Sequence, residues 1–246
     1  EENELGFLNL VFNHNVLIKN LTNKKSDFSN DSSQKIIFDY GGPNIGKPLH
    51  VGDLRSLNIG RSLYHIYRLA GHNVLSDIHM GDWGMPIAQI ISYVEKNKID
   101  LNKINIDDLE KIYPEASKLY QDSNEFKEIA LSNNKKLNEK VPKLIKQWKQ
   151  LKKVSIDSIK NTLELLNHSF DLWMGESDVN HLIPKMINKL ENDKKISLDD
   201  GAYVSNYISD PKILITKSDG SYLYLTTDLA TVLNRIKENK IDKTLY

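Results

Sequence analysis

Gly41-Gly42-Pro43-Asn44-Ile45-Gly46-Lys47-Pro48-Leu49-His50-Val51-Gly52-Asp53-Leu54-Arg55-Ser56 stands between a short apolar run, Ile36 to Tyr40, and a helical pattern from about Val51 to Ala70. The run reads as a buried strand. Strand, glycine-bearing turn and helix is the order by which α/β folds bring a phosphate to a helix N-terminus, where free N–H groups and the helix dipole attract it. Gly41, Gly42 and Gly46 permit φ > 0 or a close approach of ligand to backbone, and Pro48 suits the approach to a helix. Asn44, Lys47, His50 and Arg55 lie inside this frame, all able to meet an anion or a polar ligand. Spacing alone is also compatible with an ordinary strand-to-helix turn that carries polar residues by chance.

Outward from this stretch, the helix is expected to place Leu54, Leu57, Leu63, Ile66, Tyr67 and Ala70 mostly on one side, with Gly71 as its stop. Asn73 to Ile78 reads as a second strand. A strand–helix–strand unit of this length implies parallel strands with a right-handed crossover. Ligands of such sheets sit outside the carboxyl ends of the strands, which puts 41–50 and 79–84 at one edge. Met85 to Val94 is a further short helix.

Residues 97–200 read as mostly helical. Val141, Leu144, Ile145, Trp148 and Leu151 form an apolar stripe, with Lys140, Lys143, Lys146, Lys149 and Lys152 beside it. These lysines are read as a solvated face in preference to an RNA contact. Ser155 is placed as an N-cap, with Asp157 in the following first turn. Residues 201–204 and 212–216 read as paired strands and 217–221 as a turn. Tyr222–Leu225 reads as a short strand, and Thr226 or Thr227 as the cap of a helix ending near Lys240. A last strand starts at Lys243. Before the core, Gly6–Phe12 and Asn15–Ile18 are apolar runs too short for a domain, and the polar 22–35 reads as a linker.

The chain has 246 residues, enough for one sizeable core and an appendage. Lys+Arg and Asp+Glu number 33 each, so any case for nucleic acid rests on local patches. There is no cysteine, which suits a reducing cytosol. No apolar run approaches transmembrane length and nothing at the start resembles a signal peptide. The start at Glu1 and the finish on a strand-like run lead to the expectation of a fragment of a longer protein.

Pro43-Asn44-Ile45-Gly46-Lys47-Pro48-Leu49-His50-Val51-Gly52-Asp53-Leu54-Arg55-Ser56 resembles the nucleotide-binding signature of class I aminoacyl-tRNA synthetases, and among them that of the arginyl-tRNA synthetase family. Gly81-Asp82-Trp83-Gly84, Phe170-Asp171-Leu172-Trp173-Met174-Gly175-Glu176-Ser177 and Tyr224-Leu225-Thr226-Thr227-Asp228-Leu229-Ala230 resemble that family's later motifs, in order. The resemblance covers nearly the whole chain. It implies an α/β fold: a Rossmann-like parallel nucleotide-binding sheet with a mostly helical insertion. Residues 1–21 would be the tail of an additional N-terminal domain. Residues 36–96 and 201–246 would be two parts of the catalytic domain, truncated at the C-terminus, and 97–200 the connecting insertion.

The implied activity is ATP-dependent activation of arginine and its transfer to tRNA(Arg). The chemistry joins a carboxylate to the α-phosphate of ATP and expels pyrophosphate, so the protein must align reactants and stabilise phosphate charge. His50 can donate to a phosphate oxygen, and Lys47 is a compact cation suited to phosphates. With Pro48, Gly52 and Asp53 they form the implied ATP site, Lys47 standing in for a second lysine-rich signature that would lie past Tyr246. A guanidinium calls for carboxylates. The resemblance assigns Asp228 and Glu176 to it, Tyr224 to the pocket wall, and Asn44 and Gly42 to the α-ammonium and carboxylate end. Taken singly, a helix-start acid is usually a dipole partner and a tyrosine usually core; the four motifs in order argue jointly. Mg2+ is expected with ATP, and no protein-held metal. Since the family generally needs tRNA for adenylate formation, RNA is expected as both partner and substrate. A cytoplasmic monomer without membrane contact is expected.

One position departs from the signature: Asp53 stands where the family has a second histidine. A carboxylate there repels the α-phosphate, and losing one such donor costs about 2.7–4 kcal/mol in comparable sites. It corresponds to a one-base change, a degenerate paralogue that binds without activating, or a rearranged active site. The alternatives to the ligase are therefore a non-catalytic paralogue binding arginine or nucleotide, and another nucleotidyltransferase of the same sheet type. Tyr224-x-x-x-Asp228 and Gly175-Glu176-Ser177 speak against the last.

Overall fold

The computed structural model describes residues 13–23, 32–207, 211–218 and 220–246. The apolar run expected at 6–12 and most of the linker expected at 22–35 lie outside these residues, while Asn15–Ile18 falls in helix α1 (His14–Asn23). Strand β1 (Lys35–Asp39) is the middle of a three-stranded parallel sheet, flanked by β2 (Asn73–Asp77) and β5 (Lys243–Leu245). Ile36 lies opposite Val74 on one side and Lys243 on the other. A parallel strand covered on both faces must be apolar along its length, and Ile36, Ile37 and Phe38 are all buried.

The 3-10 turn Val51–Asp53 and helix α2 (Leu54–Leu69) connect β1 to β2. The buried residues of α2 are Leu57, Gly60 and Tyr64, whereas Leu63 and Ile66 are exposed. The expected stripe is thus rotated. Its cause is Gly60, where a Cβ would lie 2.2 Å from the Tyr40 ring. The helix backbone rests on that ring, and seating it on its glycine turns the Leu63–Ile66 side outward.

Helices α3 (Met85–Lys96), α4 (Ile106–Asp122), α5 (Asn124–Asn138) and α6 (Pro142–Leu165) share one core with the sheet, through Ile87, Ile91, Leu109, Leu137, Leu151 and Ile159 among others. Helix α6 runs unbroken through Ser155, so Ser155 is no N-cap. It is buried, and its hydroxyl donates to the Leu151 carbonyl at 2.9 Å, the i−4 bond by which serine is accommodated inside a helix. The same oxygen accepts the Gly46 N–H at 2.9 Å.

After the short helix α7 (Glu176–Val179) and α8 (Ile183–Asn192), β3 (Ile196–Asp199) and β4 (Ala202–Ser205) form a hairpin. The span 97–200 therefore ends in a strand. Only Ile196 of β3 is buried, so there is no alternating apolar signal, but Asp200-Gly201 has φ of 50 and 80°, the positive pair that tight hairpin turns use. The 212–216 segment meets β4 through a Val204–Leu214 bridge. Tyr222 makes a single bridge to Thr216, and α9 (Tyr224–Asn234) begins where a strand was expected, with Leu223 at its N-cap and Thr226 Oγ1 accepting the Leu223 N–H at 3.4 Å. A π turn, Arg235–Asn239, and a left-handed Lys240 follow before β5. Val179, Ile183, Ile187, Ile215 and Ala230 make a second, smaller core beneath this part.

Candidate functional site

Three loops are stitched together at the carboxyl edge of the sheet. Ile45 N donates to the Gly81 carbonyl and Gly81 N to the Pro43 carbonyl, both at 3.0 Å. Asn44 explains the glycine opposite: a Cβ on Gly81 would sit 2.1 Å from Asn44 Oδ1. On the other side, Leu172 N donates to Ser76 O at 2.8 Å, Met80 N to Met174 O at 2.8 Å and Glu176 N to Met80 O at 3.1 Å. The motifs at 41–56, 81–84 and 170–177 therefore share one edge, as the strand–turn–helix order required. Gly46, at φ 90°, is held by Ser155 from the middle of α6.

At the helix start, His50 is an extended N-cap. Its Nδ1 accepts the Gly52 N–H at 3.1 Å, which leaves Nε2–H as the outward donor of the neutral ring. Gly52 is needed for this, since a Cβ there would lie 2.8 Å from His50 Cε1. Asp53 does not point freely outward. Its Oδ2 accepts the His50 N–H at 2.9 Å, closing a capping box, and stands 3.4 Å from His50 Nδ1. Lys47 Nζ lies 4.1 Å from the centroid of the Tyr113 ring of α4, within cation–π range. Lys47, Pro48 and His50 form one wall of a cavity of about 520 Å³, with Tyr113, Ser117 and Lys118 opposite. Gly42 is exposed, and a Cβ there would meet only the His79 carbonyl, at 3.6 Å, so sterics do not demand glycine.

Glu176 and Asp228 come within electrostatic reach of one another. Burial, then the charges of Asp82 and Asp228, push the Glu176 carboxyl up to about 7, with His79 opposing. Tyr224 is exposed, and its hydroxyl is held above its ordinary value by partial burial, then by Glu176 and Tyr113. Asp228 Oδ1 accepts a hydrogen bond from Tyr246 at 3.2 Å. Glu176 thus stands within electrostatic reach of both Tyr224 and Asp228, while Asp228 itself lines a cavity of about 610 Å³ with Arg235 and Tyr246.

Asp82, read in the sequence only as part of a motif, and Lys152, read as solvated, brace the turn that carries Glu176. Asp82 is fully buried. It accepts from Ser177 N at 2.8 Å, Ser177 Oγ at 2.6 Å and Lys152 Nζ at 2.5 Å. Trp148 Nε1 donates to the Asp82 carbonyl at 2.7 Å. Lys152 therefore belongs to an inward ion pair, which removes it from the solvated face read for 140–152, whereas Lys143, paired with Glu95 at 2.6 Å, is 70% exposed and stays on that face. The i, i+4 relation of Trp148 and Lys152 was the one local hint. Among the described residues no group of three or more His, Cys, Asp or Glu is arranged to hold a metal ion, and no helix is long and apolar enough to cross a membrane.

A parallel sheet with a glycine turn and helix start at its carboxyl edge, interrupted by a helical insertion, defines a class I synthetase type of nucleotide-binding fold. Solved structures agree. The arginyl-tRNA synthetase of Plasmodium falciparum matches with a TM-score of 0.73 at 24% identity, over 89% of this chain and 38% of that one. The Thermus thermophilus enzyme matches at 0.66 and 21%, over 94% and 41%. The family model for the catalytic domain of class I tRNA synthetases (R) matches residues 15–246. Among curated relatives, the arginine–tRNA ligase of Agathobacter rectalis is 37% identical over 98% of this chain and 45% of its own length. That of Francisella tularensis is 33% identical over the same shares. The chain belongs to the arginyl-tRNA synthetase family, in its catalytic domain. It spans 45% of the length of these curated relatives.

Proposed function

We propose that the protein containing this chain activates arginine with ATP and transfers it to tRNA(Arg), in the cytoplasm and as a monomer. Residues 36–96 and 201–246 are read as the two parts of the catalytic domain and 97–200 as its insertion. The observation that supports the reading is the electrostatic proximity of Glu176 to Asp228 and Tyr224, in a molecule whose 170–177 segment shares a sheet edge with the helix start at His50. A guanidinium offers five donors in a plane and is met best by carboxylates. In this reading Glu176 and Asp228 take the guanidinium, Tyr224 covers the side chain, and Asn44 and Gly42 face the α-amino acid end. An oxygen of the arginine carboxylate then forms a bond to the α-phosphorus, and the bond to the pyrophosphate oxygen breaks. No proton transfer is needed. His50 Nε2–H and Lys47 stabilise the phosphate charge, with Pro48 and Gly52 shaping the helix approach to ATP. Magnesium arrives on the nucleotide's own phosphates, as that ion commonly does.

The test is arginine-dependent exchange of labelled pyrophosphate into ATP by the full-length protein, with tRNA and magnesium present. Exchange with arginine but not with citrulline supports the reading, because citrulline keeps the shape and lacks the charge. Exchange with another amino acid in preference to arginine overturns it.

A second reading, a paralogue that binds arginine without activating it, is favoured by one observation: Asp53 occupies the His50 N–H, a donor at the helix start, with a negative charge. Asp53→His in the full-length protein should raise the exchange rate, by about 100- to 1,000-fold if one charge-stabilising donor is regained, with arginine affinity unchanged. Equal exchange by both forms would show that the capping carboxylate is harmless. Absence of exchange in both, with arginine bound, would favour the paralogue.

A further inference from the structure

Asp39 and Asp77 end the adjacent strands β1 and β2 and stand opposite one another in register. Their side chains are 6% and 0% exposed. Two buried carboxylates side by side repel, and each needs a compensating donor. One group serves both. Arg235 Nη2 donates to Asp39 Oδ2 at 2.5 Å and to Asp77 Oδ2 at 2.8 Å, and the arginine is itself fully buried. A second tie lies close by: His79 Nε2 meets Thr231 Oγ1 at 3.2 Å, and His79 Nδ1 stands 3.7 Å from Asp77 Oδ2.

Thr231 is in α9 and Arg235 opens the π turn that follows it. Asp228, Thr231 and Arg235 recur at i, i+3 and i+7, so they lie along one side of the helix. Arg235 is pinned to the strand ends and Thr231 to His79 just past β2, and the third, Asp228, is the acid assigned to the guanidinium. The pins therefore set the depth and rotation at which α9 offers Asp228. The wide turn at Arg235–Asn239 fits this role, since π turns within helices mark places where a side chain is re-aimed for function.

We infer that Arg235 is a positioning residue for the guanidinium pocket: by clamping Asp39 and Asp77 it fixes the face of α9 that carries Asp228. The inference rests on the arginine reading of the site. Arg235 touches no substrate in it. Its loss should therefore weaken arginine binding while sparing ATP, whose proposed contacts lie on the signature loop.

The test uses the full-length protein, with arginine and ATP titrated separately by calorimetry and folding followed by circular dichroism. Two variants are compared with the wild type. Arg235→Lys keeps the charge on a side chain one atom shorter, which falls short of the point from which Nη2 alone reaches both carboxylates. The triple variant Arg235→Met, Asp39→Asn, Asp77→Asn removes every charge of the clamp and serves as the deciding variant if the first does not fold. A folded variant should bind arginine about tenfold more weakly and ATP within about twofold of wild type. Unchanged arginine affinity in a folded variant, or equal loss for both ligands, overturns the inference and leaves the arginine reading standing. Failure of the wild type to bind arginine overturns that reading, and this inference with it.

Discussion

Glu176 and Asp228 lie within electrostatic reach of one another, yet they are mounted on different parts of the molecule. Glu176 opens a helix of one turn whose Ser177 is bonded to Asp82, and Asp82 is paired with Lys152 of the insertion helix. Asp228 sits in a longer helix clamped to the strand ends by Arg235 and touched by Tyr246 at the end of β5. Glu176 is tied to the loop after β2 by its own N–H on the Met80 carbonyl and, through Asp82, to the insertion helix, whereas Asp228 is tied to the sheet. The difference teaches that Glu176 depends on the insertion helix and Asp228 does not, so, in the proposed reading, a change in the insertion should reach arginine through Glu176 and leave Asp228 in place.

The largest effect should come from breaking the insertion-side mount. Lys152→Met strands a fully buried Asp82 charge, and loss of about 3–5 kcal/mol in urea denaturation is expected. The double variant Lys152→Met, Asp82→Asn should recover most of that stability. If it does not, the pair supports Glu176 by packing and not by charge.

On the sheet side, Asp228→Asn should weaken arginine binding by about 10- to 100-fold, the range of a charge-assisted hydrogen bond, with ATP binding unaltered. Calorimetry with each ligand decides. Equal losses would assign Asp228 to structure and dissolve the comparison.

A pH series sharpens the contrast. The Glu176 carboxyl is raised to about 7 by burial and by the charges of Asp82 and Asp228, so a bound guanidinium must draw it into its ionised form. Arginine affinity should fall by up to about tenfold per unit as pH drops below 7, and Glu176→Gln should flatten that slope. Stability carries the opposite sign. A folded-state pKa above the ordinary 4.5 means that the folded protein holds the extra proton between the two values. The stabilisation is full below the ordinary value and is lost as pH rises through about 7. Glu176→Gln should accordingly melt higher than wild type at alkaline pH and alike in acid.

Ser155→Ala should have the smallest effect, about 1 kcal/mol for the lost acceptor of Gly46 N–H. It should also slow nucleotide chemistry more than it weakens arginine binding, since Gly46 belongs to the phosphate loop and neither acid rests on it, while only Gly42 and Asn44 of that loop face arginine in the proposed reading.

Much of this was legible in the chain. The glycines at 41 and 46 take the positive φ that the turn needs, and β1, β2 and the edge they share follow from apolar runs around a turn. The Asp200-Gly201 hairpin was signalled and passed over because β3 is mostly exposed and has no alternation to mark it. Ser155 and Asp157 imitated a helix start because serine and aspartate favour caps, yet a helix continues through a serine when its hydroxyl can bond the preceding turn. The α2 stripe misled because apolar periodicity reports one face of a helix, while the seat of that helix was set by a glycine against an aromatic ring.

By itself, then, the sequence determined the strand–turn–helix, because it is written in residues a few positions apart whose conformational preferences act locally, and the family, through four motifs in order, with Glu176 and Asp228 assigned by that resemblance. Tertiary structure alone decided what holds those acids. Lys152 meets Asp82 across 70 positions, and Arg235 meets Asp77 and Asp39 across 158 and 196. In a linear reading each of these cations is one more charge on a helix. Only burial makes them different, since a carboxylate removed from water must find a partner wherever the fold brings one, and no local pattern records which partner that is.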